Sequence, residues 1–165
     1  MPTAPHAIIL AAGKGTRLHP ITATRTKAMA PVAGKPIVAR VMETLMENGI
    51  RDFVLLISPD DQEITSYFQE ELGKELAIRF VVQPQRLGMA NALSLAAPFI
   101  RGPFILSACD NLTPVAHVAE LLSNHENRQA NATLSLMEID IAKASSTGII
   151  EWEHGLIRRI VEKTQ

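Results

Sequence analysis

The sequence predicts an α/β fold in which a mostly parallel sheet carries helices on both faces. Short apolar runs alternate with amphipathic stretches at strand–helix–strand spacing, the pattern of successive βαβ units. Those runs are apolar throughout, as strands covered on both faces must be. The chain's 165 residues, 47% of them hydrophobic and 20% charged, are ample for one core. A chain of about that length buries roughly 68–70% of its unfolded surface.

Each element can be justified in turn. His6–Ala12 (HAIILAA) is a continuous apolar run closed by Gly13 and reads as a buried strand. Lys35–Asn48 puts Ile37, Val38, Val41, Met42, Leu45 and Met46 on one helical face, with Pro36 near its start and Gly49 just beyond. Asp52–Ser58 is the second strand. Asp60–Leu72 opens on an Asp, has Glu63 three residues on and stops at Gly73, which predicts a capped helix. Ala77–Gln83 is the third strand, and Met89–Ala97 a short Ala-rich helix. Pro103–Cys109 is the fourth strand, running into Asp110. Pro114–Asn127 gathers Val115, Val118, Leu121 and Leu122 on one side as a further helix, and Asn131–Ile139 is a fifth strand. Residues 148–152 and 156–162 flank His154-Gly155 as a hairpin. No linker, repeat or low-complexity tract interrupts residues 1–165, so one domain is expected.

Composition removes several classes. The single cysteine, Cys109, excludes a disulfide framework and a multi-thiolate zinc site. No apolar run approaches the ~18–20 residues of a membrane span, and the N-terminus lacks a basic, then apolar, signal pattern. A cytoplasmic location and no membrane partner are therefore expected. A net charge of −1 argues against a nucleic-acid partner. Lys14, Arg17, Arg25, Lys27, Lys35 and Arg40 nevertheless all precede the first acid, Glu43. Such a block suggests an anionic ligand, with a solvated basic face as the competing explanation. The five histidines (6, 19, 117, 125, 154) show no triad or metal spacing and read as structural or surface residues. Cys109, Met29, Met42 and Met46 read as core, and Trp152 as a packing anchor.

In a fold of this class ligands bind at the carboxyl ends of the strands, near the switch in strand order. The segments to search are 13–27, 58–61, 83–91 and 110–113. The first contains Gly13-Lys14-Gly15 directly after a strand, where glycines let backbone N–H groups approach an anion. It is not a Rossmann fingerprint, because Leu18 stands where the third glycine belongs. Nor is Gly34-Lys35 a Walker A loop, because Met29 occupies the first glycine position. Arg17, Lys27 and Lys35 all come within the long connection that follows, where Arg supplies a fork of donors and Lys a point charge, a pair suited to a triphosphate.

The run Leu10-Ala-Ala-Gly-Lys-Gly-Thr-Arg-Leu18, followed by Pro20, Thr22, Lys27, Pro31-Val32 and Gly34-Lys35-Pro36, resembles the signature of the sugar-1-phosphate nucleotidyltransferases. Gln83-Pro84 through Leu87-Gly88, Asp110-Asn111, Thr147-Gly148 and Glu162-Lys163 extend the resemblance over nearly the whole chain, on the uridylyl- and thymidylyl-transferring side of the family. It implies a Rossmann-like fold of the nucleotide-diphospho-sugar transferase type. It also implies transfer of UMP or dTMP from UTP or dTTP to a hexose-1-phosphate, with Mg²⁺ as cofactor. In that scheme Leu10, Ala11, Ala12, Gly13, Gly15 and Thr16 form the nucleotide loop, and Arg17 grips the triphosphate. Lys27 sits near the phosphates, Gln83 and Gly88 read the base, and Asp110 holds the metal. Asn111, Gly148, Glu162 and Lys163 face the sugar, and Arg17, Lys27 and Lys163 are the catalytic set.

Plainer roles compete with each of these. Asp110 fits an Asx turn closing a strand, Gln83 a strand end, Gly88 a helix start, and Glu162-Lys163 a solvated pair. A non-catalytic module of the same fold, or a cytidylyltransferase with another phosphorylated acceptor, are the alternative functions. In the resembling family a proline usually follows the Glu-Lys pair; here Thr164-Gln165 follows. The expectation is a domain truncated at its C-terminus, holding the nucleotide half and the start of the sugar half. It could be a shortened product, a proteolytic fragment or a short paralogue. Apolar surface at Ile149, Ile150, Leu156, Ile157 and Ile160 would then be open, and a homo-oligomer is expected.

Overall fold

A computed structural model describes residues 5–59, 61–71, 76–142 and 147–161. The central sheet has four parallel strands in the order β5-β4-β1-β6, where β1 is His6–Leu10, β4 Asp52–Ile57, β5 Ala77–Val82 and β6 Phe104–Ala108. The chain runs outward from β1 through β4 to β5, then returns to β6 on the other side of β1. The strand order therefore reverses between β1 and β6, and the crevice at their carboxyl ends is the place where such sheets bind ligands.

Alternation along the strands builds two cores. Ala7, Ile9, Phe53, Leu55 and Ile57 face one side, where they pack with Val38, Val41, Met42 and Leu45 of α1 (Ile37–Glu47). Ile64 and Phe68 of α2 (Gln62–Glu71) and Val118 of α4 (Val115–Asn127) complete this layer. Ile8, Val54 and Leu56 face the other side, against Ala92 and Ala96 of α3 (Met89–Ala96). Among the described residues helices thus cover both faces, three on one and one on the other. Full burial of each large side chain contributes about 1.5–3 kcal/mol. Residues 8, 9, 53, 54, 55 and 56 are all completely buried, so β1 and β4 form the rigid centre that holds the crevice.

The sequence reading needs four adjustments. Pro31–Val32 (β2) and Lys35–Pro36 (β3) form a small antiparallel hairpin, so the first helix starts at Ile37, with Pro36 before it. The cap expected at Asp60 and the stop at Leu72-Gly73 lie outside the described residues. Asn131–Ile139 is not a strand: it pairs with no described strand. Instead His117 and His125 of α4 hold it by side-chain bonds, Nε2 to Ser135 Oγ at 2.7 Å and Nδ1 to Thr133 Oγ1 at 3.0 Å. Its apolar residues have no ladder neighbour, and Leu136 and Met137 are exposed. Trp152 is likewise no packing anchor but 70% exposed. The antiparallel hairpin that carries it, β7 (Ile149–Glu153) and β8 (Leu156–Val161), pairs only with itself among the described strands. Its turn is as expected, with His154 and Gly155 both at positive φ (51° and 77°), the twist a two-residue hairpin turn requires. Ile149, Leu156, Ile157 and Ile160 are exposed. Among the described residues no helix is long and apolar enough to cross a membrane.

Candidate functional site

The crevice is built from three segments that leave the ends of β1, β5 and β6. After β1, Ala11 continues the ladder by donating to Leu56 O at 2.8 Å, then the chain turns through Gly13-Lys14-Gly15. Gly15 has φ 68° and ψ 32°, the left-handed region, and starts a 3₁₀ turn at Thr16–Leu18. Its lack of a side chain is used fully. A Cβ there would lie 2.8 Å from Lys27 Cβ and 3.0 Å from Thr22 Cγ2, and Thr22 Oγ1 donates to Gly15 O at 2.7 Å. Gly13, by contrast, faces open space: among the described residues nothing lies within 4 Å of the Cβ position. One glycine packs the loop onto Lys27; the other leaves room above it.

Lys27 opens a second 3₁₀ turn, Lys27–Met29, whose Ala28 and Met29 are buried and anchor it. Its Nζ lies 2.5 Å from Asp110 Oδ2, with both side chains about one-third exposed. Asp110 follows β6, and Cys109 N donates to Leu10 O at 3.1 Å, fixing the end of β6 to the end of β1. Burial beside the Asp110 carboxylate pushes the Cys109 thiol up to about 11, so it stays protonated and unreactive near neutral pH.

The third segment follows β5. Gln83 is buried; its backbone N donates to Ile57 O at 2.8 Å. Its Nε2 donates to Gly88 O at 3.2 Å and to Asn91 Oδ1 at 3.0 Å. Arg86 Nε donates to Ala12 O at 2.7 Å, drawing this loop across the end of β4 onto the glycine loop.

The structure therefore brings together Leu10 through Arg17, Lys27, Gln83, Gly88 and Asp110. Asn111 continues the turn after Asp110, its N donating to Ala108 O at 3.2 Å. Gly148 lies apart from them in sequence and element, just before the β7–β8 hairpin, and Glu162 and Lys163 lie outside the described residues. The basic block divides. Lys35 and Arg40 both pair with Glu43, holding its carboxyl below the ordinary range, the Lys35 hydrogen bond being the largest cause. Arg17 is exposed on its turn, and among the described residues no ion pair engages Lys14, Arg17 or Arg25. These are the cations open to an anion.

Three residues escaped the sequence reading. Arg86 and Asn91 lay inside the 83–91 segment, but neither charge nor spacing distinguished them. Asp61 is 2% exposed, and among the described residues neither its carboxylate oxygens nor the neighbouring Thr26 Oγ1 has a hydrogen-bond partner. Burial raises its pKa above the ordinary value, with the nearby Thr26 hydroxyl and Arg86 opposing.

A family model described as nucleotidyl transferase matches residues 6–165. The chain belongs to that family. It is 37% identical over 145 residues to the bifunctional protein GlmU of Methanococcus maripaludis, covering 88% of this chain and 32% of that protein. It is 29% identical to the UTP–glucose-1-phosphate uridylyltransferase AglF of Haloferax volcanii, over 96% of this chain and 65% of that one. A glucose-1-phosphate thymidylyltransferase of Xanthomonas campestris is 32% identical over 96% of this chain and 54% of its own length. Among solved structures, a UDP-glucose pyrophosphorylase complexed with UDP-glucose superposes with TM-score 0.80 at 25% identity, covering 99% of this chain and 70% of that one. A Bacillus anthracis protein assigned as a glucose-1-phosphate thymidylyltransferase gives TM-score 0.85 at 24% identity and confirms the fold. The chain thus spans between one third and two thirds of the length of these curated relatives. This member of the nucleotidyl transferase family has its glycine loop, Lys27 and Asp110 at the crevice where the strand order reverses.

Proposed function

We propose that this chain forms the triphosphate-binding part of a sugar-1-phosphate nucleotidyltransferase, moving UMP or dTMP from UTP or dTTP to a hexose-1-phosphate. The observation that carries this reading is the convergence of the open Gly13 loop, the exposed Arg17 and the Lys27–Asp110 pair at the switch point between β1 and β6. In the reaction a phosphate oxygen of the sugar-1-phosphate attacks the α-phosphorus in line. The new P–O bond forms as the α–β bridging bond breaks, and pyrophosphate leaves with the electron pair. Such catalysis is largely positioning and charge neutralisation. Backbone N–H groups around Gly13 receive phosphate oxygens, Arg17 takes the leaving pyrophosphate, and Lys27 neutralises charge at the α-phosphate. Gln83 and Gly88 contact the base edge, while Asn111 and Gly148, with Glu162 and Lys163, belong to the sugar side.

The donor set fits Mg²⁺ in one particular way. Among the described residues no three His, Cys, Asp or Glu side chains gather as a cage. Mg²⁺, however, commonly takes one or two carboxylates and completes its shell from substrate phosphates and water. Asp110 is that single carboxylate; the ion, when bound, would neutralise charge on the triphosphate. A cytoplasmic homo-oligomer belongs to the same reading.

Isothermal titration of UTP, dTTP, CTP, GTP and ATP in the presence of Mg²⁺ tests the proposal. Binding of UTP or dTTP, weakened at least tenfold in Arg17→Ala, is expected. If no triphosphate binds, the reading fails. Binding without pyrophosphate release on adding sugar-1-phosphates would instead favour a non-catalytic module.

A further inference from the structure

The Gln83 amide is held at both of its N–H bonds, and this decides what it can offer a ligand. Gly88 O is a backbone carbonyl and can only accept, so the group 3.2 Å from it must be the Gln83 NH₂. The second N–H goes to Asn91 Oδ1 at 3.0 Å. Both donors are spent inside the protein, and Gln83 is 95% covered. What remains is Oε1, a pure acceptor. A free glutamine amide flips at little cost, because its terminal torsion is broad and roughly two-fold. It could then serve a ring nitrogen that donates or one that accepts. Here a flip would set Oε1 against the Gly88 carbonyl, and against Asn91 Oδ1 as well unless the Asn91 amide turned with it.

We infer that Asn91 is a specificity-determining positioning residue which, together with the Gly88 carbonyl, fixes Gln83 as an acceptor and so selects bases whose ring nitrogen carries a proton. Uracil and thymine present N3–H at that position; cytosine, nearly the same size, presents an unprotonated N3 whose lone pair would face Oε1. A site built to accept a hydrogen bond rejects the analogue that lacks the donor, because the buried acceptor is then left unpaired. The inference rests on the base-reading role given to Gln83 above and goes further, naming the polarity of the contact and the residue that sets it. Asn91 acts through Gln83, not on the base. It is well placed to do so: it lies in the first turn of α3, just after Gly88, whose φ of 93° aims the loop carbonyl at Gln83.

The test is the ratio of UTP to CTP affinity, by titration with Mg²⁺, in the wild type, Asn91→Ala and Asn91→Asp. The ratio is expected to fall at least tenfold in Asn91→Ala. It should persist in Asn91→Asp, whose carboxylate can only accept and so still engages the Gln83 amide, even though its charge weakens both nucleotides. A merely structural role would lower both affinities of Asn91→Ala together and leave the ratio unchanged, which overturns the inference. Equal binding of UTP and CTP by the wild type overturns it too. If the wild type binds neither, the nucleotide reading itself fails.

Discussion

Gly15 is the position where loop geometry can be converted into an energy. Gly15→Ala must place a Cβ 2.8 Å from Lys27 Cβ and 3.3 Å from Lys27 Cα, with Thr22 Cγ2 at 3.0 Å. Two of those atoms are backbone or the first carbon of a side chain, which cannot swing away. The left-handed φ of 68° adds about 1–2 kcal/mol for any residue with a Cβ. Overpacking adds roughly 1–3 kcal/mol, and the stiffer unfolded chain returns about 0.4–1 kcal/mol. The net loss is about 1–4.6 kcal/mol. Gly13→Ala is the control: its Cβ meets open space and its φ is not positive, so a change within about 1 kcal/mol is expected. Urea unfolding followed by far-ultraviolet circular dichroism measures both. Because the strained contact is with Lys27, Gly15→Ala should also lose triphosphate affinity. A Gly15→Ala midpoint equal to wild type, with an unchanged slope, would refute the claim that this glycine is required by its contact with Lys27.

Other expectations concern charge and surface. Lys27→Met should bind Mg²⁺ alone about two- to five-fold more tightly, since it removes a partly exposed ammonium worth about 0.5–1 kcal/mol from Asp110. The same variant should lose triphosphate affinity; weaker Mg²⁺ binding, read by calorimetry without nucleotide, would count against Asp110 as the metal carboxylate. Asp61→Asn should be more stable than wild type at pH 7. Burial raises the folded carboxyl above its ordinary 3.8, so its favourable contribution is present below 3.8 and lost as pH rises through the folded value. The advantage should shrink toward pH 4, and an advantage constant with pH would reject the titration argument. Sedimentation velocity at rising concentration is expected to show self-association through the exposed Ile149, Trp152, Leu156, Ile157 and Ile160 face; a strictly monomeric profile would remove that expectation.

The parallel core was legible because burial on both faces writes an unmistakable pattern. HAIILAA and DFVLLIS are apolar at every position that matters, and β1 and β4 lie where they indicate. The same logic misled at Asn131–Ile139 and Trp152. Apolar residues at strand spacing show what a segment is fit to bury, not what buries it. A ladder needs a neighbour, and among the described strands neither segment has one outside its own hairpin. Among the described residues the 131–139 run therefore stays unpaired, tied to α4 through hydroxyls and imidazoles instead of ladder bonds.

The site shows a similar division between residue type and relationship. Gly13, Gly15, Arg17 and Lys27 could each be picked out of the sequence because phosphate chemistry favours glycines and cations, and Asp110 because it stands in a motif of the family the chain resembles. Their pairing could not. Lys27 meets Asp110 only because the chain returns past β1 to place β6 beside it. Arg86 reaches Ala12 across 74 residues only because β5 ends in the same crevice. Arg86 and Asn91 were missed for that reason: neither has a motif of its own, and their roles consist of what they hold. Arg86 holds two loops together, and Asn91 holds an amide. A triphosphate arriving at this crevice would meet groups already oriented by such contacts, with one exchange left to make. On the proposed reading, Lys27 would exchange Asp110 for phosphate as the carboxylate takes up the metal, and a single ion pair with both side chains in part open to solvent is weak enough to permit it. That reading predicts coupled binding, each ligand releasing the partner the other needs: Mg²⁺ should bind more tightly with triphosphate present than without it, and the coupling should diminish in Lys27→Met.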